Sequence, residues 1–147
     1  MSKFANGFYT VLNPGKYFGA RTPQYRSSWE HAVFRMLDNN PGVVKWASES
    51  VHIPYINPFT QRQTIYVPDI LVIFQDNANK QHSEMWEIKP MRETTVEAAG
   101  KSQKAQAAAV LNQYKWQAAK HYCASKGIFF RVLTEADIFG KTVGAAR

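Results

Sequence analysis

Two apolar runs that should be buried strands each carry charge, and this restricts the fold more than any other feature of the chain. The first, Ile65-Tyr66-Val67-Pro68-Asp69-Ile70-Leu71-Val72-Ile73-Phe74, is β-branched and aromatic enough to read as one central strand with Asp69 in its middle. The second, Met85-Trp86-Glu87-Ile88-Lys89, sets Glu87 and Lys89 two residues apart, and therefore on one face of a strand. Between them, Asp76-Asn77-Ala78-Asn79-Lys80 is turn chemistry that joins the runs as a hairpin. Paired strands lie about 4.8 Å apart, so Asp69 is expected to face Glu87 across the ladder. Two carboxylates that close repel unless a cation lies between them or one takes up a proton. A divalent metal with Lys89 beside it is the expected answer.

The flanking sequence supplies layers for such a hairpin. Ser27-Ser28-Trp29-Glu30 is a capping-box pattern, and Trp29, Ala32, Val33, Met36 and Leu37 follow as a helical apolar stripe. Asp38-Asn39-Asn40-Pro41-Gly42 stops that helix. Residues 43–55 read as one strand or two, with Trp46, Val51 and Ile53 as core candidates and Pro54 and Pro58 marking the end. Residues 91–101 are polar and unpatterned, which predicts a mobile connection. A long helix is predicted over 102–126, because Ala107, Leu111, Tyr114, Ala118 and Tyr122 recur three or four residues apart, with Gly127 as its C-cap. A last buried strand is expected over 128–133, then a short turn or helix from Thr134. The predicted fold is α/β, a helix, three strands, a helix and a strand, with a mixed, mostly antiparallel central sheet flanked by helices. Residues 1–24 are expected to form an extended basic and aromatic arm, 25–140 a single domain and 141–147 a tail.

Charge and composition narrow the function. The 147 residues suffice for one domain with a real core. A lone Cys123 excludes an internal disulfide framework and a cysteine zinc site, and suggests a reducing, cytoplasmic setting. There is no apolar run of membrane-spanning length, no signal-peptide core and no glycine-rich phosphate loop. His31, His52, His82 and His121 show no ligand spacing. The net charge of +7 is unevenly spread: residues 27–100 hold six basic and nine acidic side chains, while 101–147 hold eight basic and two acidic. An acidic centre between basic ends suits an enzyme that holds a metal in the middle and a polyanion around it, although solubilising lysines give the same sum. The expected DNA contacts are Lys16, Arg21, Arg26, Lys101, Lys104 and Lys115. Tyr9, Tyr17, Phe18 and Tyr25 of the arm either stack on bases or pack on the core, and packing is expected.

Phosphodiester hydrolysis needs a nucleophilic water and a neutralised leaving oxygen, which carboxylate-held Mg²⁺ or Mn²⁺ supplies. Asp69 and Glu87 are the expected ligands, with the Ile88 carbonyl as a third. Lys89 is placed to orient the water or neutralise the phosphate. Together with Glu30 and the helix–strand order, the Pro68-Asp69 and Glu87-Ile88-Lys89 pattern resembles the PD-(D/E)xK nuclease superfamily. More narrowly, the stretches Tyr25-Arg26-Ser27-Ser28-Trp29-Glu30, Val44-Lys45-Trp46-Ala47-Ser48-Glu49, Ile53-Pro54-Tyr55-Ile56, Glu87-Ile88-Lys89-Pro90, Asn112-Gln113-Tyr114-Lys115-Trp116 and Leu133-Thr134-Glu135 resemble the head-completion nucleases of T-even-type tailed phages. A similar fold serves as the strand-cutting subunit of some transposons. The resemblance covers residues 25–135 and departs at Ile70, where it implies an aromatic.

The resemblance implies a restriction-endonuclease-like core and an active-site set of Glu30, Asp69, Glu87 and Lys89. It implies double-stranded DNA and a portal, neck or head protein as partners, in the host cytoplasm or the virion, and leaves oligomeric state open. A junction resolvase or repair nuclease of the same fold, and a neck protein that binds without cutting, are the alternatives. Intact buried charge favours the enzyme. Glu30 has two readings, a cap accepting from the Ser27 amide or the helix acid of the active site.

Overall fold

Pro68 has no N–H to give to a ladder, and the apolar run of residues 65–74 breaks there into strands of two different sheets. The single central strand expected over this run is therefore two, and Asp69 stands at the mouth of the second rather than in its middle. The computed structural model describes residues 6–139, so the expected tail and the first five residues of the expected arm lie outside the described residues. In chain order the elements are β1 (Gly7–Phe8), β2 (Gln24–Tyr25), α1 (Ser28–Asn39), β3 (Val43–Ser48), β4 (Ile53–Ile56), β5 (Gln63–Tyr66), β6 (Ile70–Gln75), β7 (Gln81–Ile88), α2 (Val96–Ala99), α3 (Gln103–Ala124), β8 (Ile128–Leu133) and α4 (Glu135–Phe139).

The main sheet has the order β3-β6-β7-β8, antiparallel except for the β7–β8 pair. A parallel neighbour requires a crossover, and α3 supplies it. Through α1, β3, β6, β7, α3 and β8 the expected succession and the mixed sheet are both present. Between β3 and β6 the chain inserts a separate hairpin, β4–β5, so residues 43–55 contribute a strand to each sheet. Ile70 pairs with Trp86, which brings the preceding Asp69 beside Glu87. Ile70 itself is 1% exposed, so an isoleucine fills the place where an aromatic was implied.

The pleat sorts the core into two layers. Ile70 and Val72 of β6 and Trp86 and Ile88 of β7 pack with Trp29, Val33, Phe34 and Leu37 of α1. On the opposite face Met85 and Phe130 pack with Trp116, Ala119 and Cys123 of α3 and with Ile53, Tyr55 and Tyr66 of the hairpin. Both helices are rotated relative to their expected stripes. In α1 the buried face includes Phe34 and Asp38, while Met36 is 37% exposed. In α3 the buried residues are Ala109, Asn112, Trp116, Ala119 and Cys123, and Tyr114 lies 51% exposed. Alanines on every side of α3 make its periodicity ambiguous, and Trp116, the largest apolar group, decides which face turns inward. Ser102 is the N-cap of α3, and Ser125 rather than the expected Gly127 is its C-cap.

Two expected irregular segments are folded. Residues 91–101 contain a 3₁₀ turn, Met91–Glu93, and α2, and are tied to α3 by Asn112 Nδ2, which donates to the Glu93 carbonyl at 3.0 Å. The described part of the arm, residues 6–24, lies on α1 and β3. Its β1 pairs with β2, and Tyr17 packs edge-on to Trp46 with ring centroids 4.7 Å apart. The anchor is Asp38, fully buried, which accepts from the Tyr9 hydroxyl at 2.6 Å, the Leu12 amide at 2.7 Å and the Asn13 amide at 3.0 Å. Lys16 donates from Nζ to the carbonyls of Asp38 and Asn40, at 3.0 and 2.7 Å. Lys16 is thus a half-buried structural tie, not the exposed side chain expected of it.

Burial alone would raise the Asp38 pKa, but the hydrogen bonds from Tyr9, Leu12 and Asn13 outweigh it and hold the carboxyl below its usual value. A depressed folded-state pKa gives stability that is present above the unfolded value of about 3.9 and is lost as pH falls through the folded value. Asp38→Ala should therefore cost about 3 kcal/mol at pH 7, because it leaves a phenol and two amides without their acceptor. Below pH 3 the deficit in a denaturant melt should shrink. An unchanged melt at pH 7 would show that the segment is not anchored there.

Candidate active site

Asp69 is clamped through its main chain and its side chain. Its carbonyl accepts from the amide of Glu49, a residue with a left-handed φ of 50°, at 3.0 Å. Its carboxylate Oδ2 accepts from the Ile88 amide at 2.7 Å. Glu87 lies within β7, two strands deep on one side and flanked by β8 on the other, and is 6% exposed. Alternation along β7 places it on the face of Met85, towards α3. Oε1 of Glu87 accepts from the Tyr66 hydroxyl at 2.7 Å, and Oε2 stands 3.7 Å from Lys89 Nζ. Lys89 follows β7 directly, and its amide donates to the Leu133 carbonyl of β8 at 3.0 Å.

These positions set the electrostatics. Burial pushes the Asp69 carboxyl well above its ordinary value, and the Glu87 charge pushes it further, against the pull of the Ile88 amide. Burial also raises Glu87, with Lys89 and the Tyr66 hydroxyl opposing. Tyr66 is raised by burial and then by the Glu87 charge, which keeps it a phenol and a donor. Glu30 is raised by burial and opposed by the Arg26 amide. Its two readings meet here. Ser27 Oγ accepts from the Glu30 amide at 3.2 Å, so the cap exists, but Oε1 of Glu30 accepts from the Arg26 amide at 2.7 Å rather than from Ser27. Glu30 nonetheless lies in the electrostatic field of Asp69 and Lys89.

Asp69, Glu87 and Lys89 are therefore together, with Glu30 at their margin. The six expected DNA contacts divide. Arg21, Lys101 and Lys104 are exposed, Arg26 pairs with Glu49 at 3.0 Å, Lys16 is taken up by the fold, and Lys115 lies against Tyr66 inside the site, its Nζ 5.8 Å from the ring centroid. Tyr66 and Glu49 were not legible as site residues. No spacing rule marks a tyrosine three residues before an acid, and a clamp made by a backbone amide leaves no trace in side-chain chemistry.

Among the described residues no group of three or more His, Cys, Asp and Glu side chains gathers to hold a metal. Two carboxylates do converge, with Ile88 beside both. Oδ2 of Asp69 and Oε1 of Glu87 accept hydrogen bonds from protein donors, which leaves Oδ1, and Oε2 beside Lys89, to face a cation. A few hard oxygens with water completing the shell is the donor set that Mg²⁺ takes, and Mn²⁺ accepts it too. The residues fit such an ion.

Residues 40–135 match the family described as the TnsA-like endonuclease N terminal, across the strands and α3 that build this geometry. The chain belongs to that endonuclease family. It is also 32% identical over 140 residues to the head completion nuclease of Enterobacteria phage T4, covering 88% of this chain and 91% of the phage protein. That share is larger than residues 25–135 make up, so the likeness extends beyond the range legible from motifs. Within the TnsA-like endonuclease fold, a restriction-endonuclease-like α/β arrangement, Asp69, Glu87, Lys89 and Lys115 all fall in the matched residues, and Glu30 precedes them.

A raised folded-state pKa makes the ionised Asp69 a liability without metal. Its effect is absent below the unfolded value of about 3.9 and grows as pH rises through the folded value. Asp69→Asn should raise the metal-free melting temperature at pH 7 by about 2–4 °C, the shift for about 1 kcal/mol in a domain of this size. The gain should vanish at pH 3.5. A variant melting below the wild type at pH 7 would contradict the charge strain.

Proposed function

We propose that this protein is a Mg²⁺-dependent endodeoxyribonuclease that hydrolyses backbone phosphodiesters of double-stranded DNA. The observation that carries the reading is the Asp69–Glu87 pair, two carboxylates whose charge the protein disfavours, set beside Lys89. A protein that used this fold only as a scaffold would gain by replacing them with apolar groups. Asp69 Oδ1, Glu87 Oε2 and the Ile88 carbonyl would hold the cation, which when bound polarises the phosphoryl oxygen and lowers the pKa of water. Tyr66 fixes the Glu87 rotamer by donating to Oε1. The Lys89 ammonium orients the incoming water or neutralises the charge that grows on the phosphate. The water oxygen bonds to phosphorus, one backbone P–O bond breaks, and the departing sugar oxygen takes up a proton. Exposed Arg21, Lys101 and Lys104 serve phosphate contacts away from the reacting group.

The named role of the phage T4 relative supports a place in head completion, and the proposed sites of action are packaged DNA ends or the portal and neck. In that role the protein works in the host cytoplasm or stays with the virion.

Asp69→Ala and Glu87→Ala should abolish Mg²⁺-dependent plasmid nicking and weaken Mg²⁺ binding in calorimetry, with folding retained. Lys89→Ala should lose turnover yet still bind the ion. Unchanged Mg²⁺ affinity in both carboxylate variants would sink the assignment.

Glu30 is separable from its cap. Gln retains an acceptor for the Arg26 amide, so Glu30→Gln should melt near the wild type while nicking at least about tenfold more slowly, about 1.4 kcal/mol of barrier. Ser27→Ala is the control, losing about 1 kcal/mol of stability and keeping its activity at low temperature. Wild-type nicking by Glu30→Gln returns the residue to the cap alone.

A further inference from the structure

Lys115 is out of place among peripheral DNA contacts. It lies on α3 between Asn112 and Ala119 of the buried face, and it is half-buried where Lys101, Lys104 and Lys120 are exposed. Its Nζ sits 5.8 Å from the centroid of the Tyr66 ring, whose hydroxyl is bonded to Glu87. The pleat explains the meeting. Glu87 shares its face of the sheet with Met85, and α3 covers that face with Trp116, the residue next to Lys115. The ammonium is attracted by Glu87 and Asp69 and repelled by Lys89, while burial and that repulsion lower its pKa. Among the described residues no carboxylate is close enough to form an ion pair with it. A half-buried cation held on an aromatic face, with its donors unanswered by a carboxylate, is arranged to meet an anion brought from outside.

We propose that Lys115 is a second catalytic lysine, whose ammonium contacts a non-bridging oxygen of the scissile phosphate opposite Lys89. The proposal rests on the nuclease reading above and deepens it. A divalent cation answers the charge of the two carboxylates, and the two ammoniums then face the charge of the phosphate. Tyr66 is the positioning residue for both halves, presenting its ring to Lys115 and its hydroxyl to Glu87. The sequence reading of Lys115 as one of several groove contacts makes a different demand. A groove contact holds the DNA equally before and during the reaction, whereas a contact to the reacting phosphate strengthens as its charge grows.

The experiment compares wild type, Lys115→Gln, Lys115→Arg and the distant turn variant Lys80→Gln. It reads single-turnover cleavage of a duplex by saturating enzyme in Mg²⁺, duplex affinity in EDTA over a salt series, and Mg²⁺ affinity by calorimetry. Lys115→Gln should slow the saturated rate at least about tenfold, with duplex affinity within about threefold of wild type. It should bind Mg²⁺ about threefold more tightly, since a like charge has gone from the ion's surroundings. Lys115→Arg should recover most of the rate, and Lys80→Gln should match wild type throughout. A Lys115→Gln enzyme with weaker duplex binding, a shallower salt slope and an unchanged saturated rate would make Lys115 a groove contact and overturn the proposal. Rates and Mg²⁺ affinity that do not move would also overturn it. An inactive wild type would instead remove the nuclease reading and this proposal with it, so the two failures are distinguishable.

Discussion

Two carboxylates are brought close together where water is scarce, and most of the structure around them can be understood as holding them there. Left alone, Asp69 and Glu87 would separate, rehydrate or protonate. Separation is blocked because Glu87 belongs to an inner strand, paired on both sides, and cannot move without breaking the sheet. Asp69 is blocked by the Glu49 amide on its carbonyl and the Ile88 amide on its carboxylate. Tyr66, brought in by the inserted hairpin, occupies one oxygen of Glu87. The restraints come from β7, from the turn after β3 and from the inserted hairpin, so the strain is spread over the fold instead of being borne by one contact. This is the familiar pattern of a site that gives up stability in exchange for a prepared geometry.

The parts of this arrangement that were legible in the sequence are those carried by residue type at short range. Ser27 announced its cap, Asp76 to Lys80 announced the turn, and the charges of Asp69, Glu87 and Lys89 stood out because they interrupt apolar runs. The succession of elements followed from those signals. What was not legible was settled at long range. Pro68 divides a run that by composition alone is one strand, and only the pairing partners show that the halves belong to separate sheets. The N-terminal segment has the composition of a loose arm, rich in Gly, Pro and Asn. It is nevertheless fixed, because Asp38 of α1 turns inward to meet Tyr9, Leu12 and Asn13. An aspartate near a helix end reads as a solvated stop signal, and nothing local distinguishes it from a buried anchor. The faces of α3 were misread for the opposite reason. Too many small apolar residues fit too many orientations, and a single large ring had the deciding weight.

The β7–β8 pair has a consequence for how the protein comes into being. Strand β8 is joined to β7 by parallel pairing across the whole of α3, so a chain leaving the ribosome has β3, β6 and β7 available long before their last neighbour. During that interval β7 is an edge strand. Without α3 and β8 the face that holds Glu87 is uncovered, and Lys89 lacks the Leu133 carbonyl that receives its amide. The centre is complete only with α3 and β8 in place. A chain cut before α3 would therefore leave Glu87 on an edge strand, without the helix that covers its face.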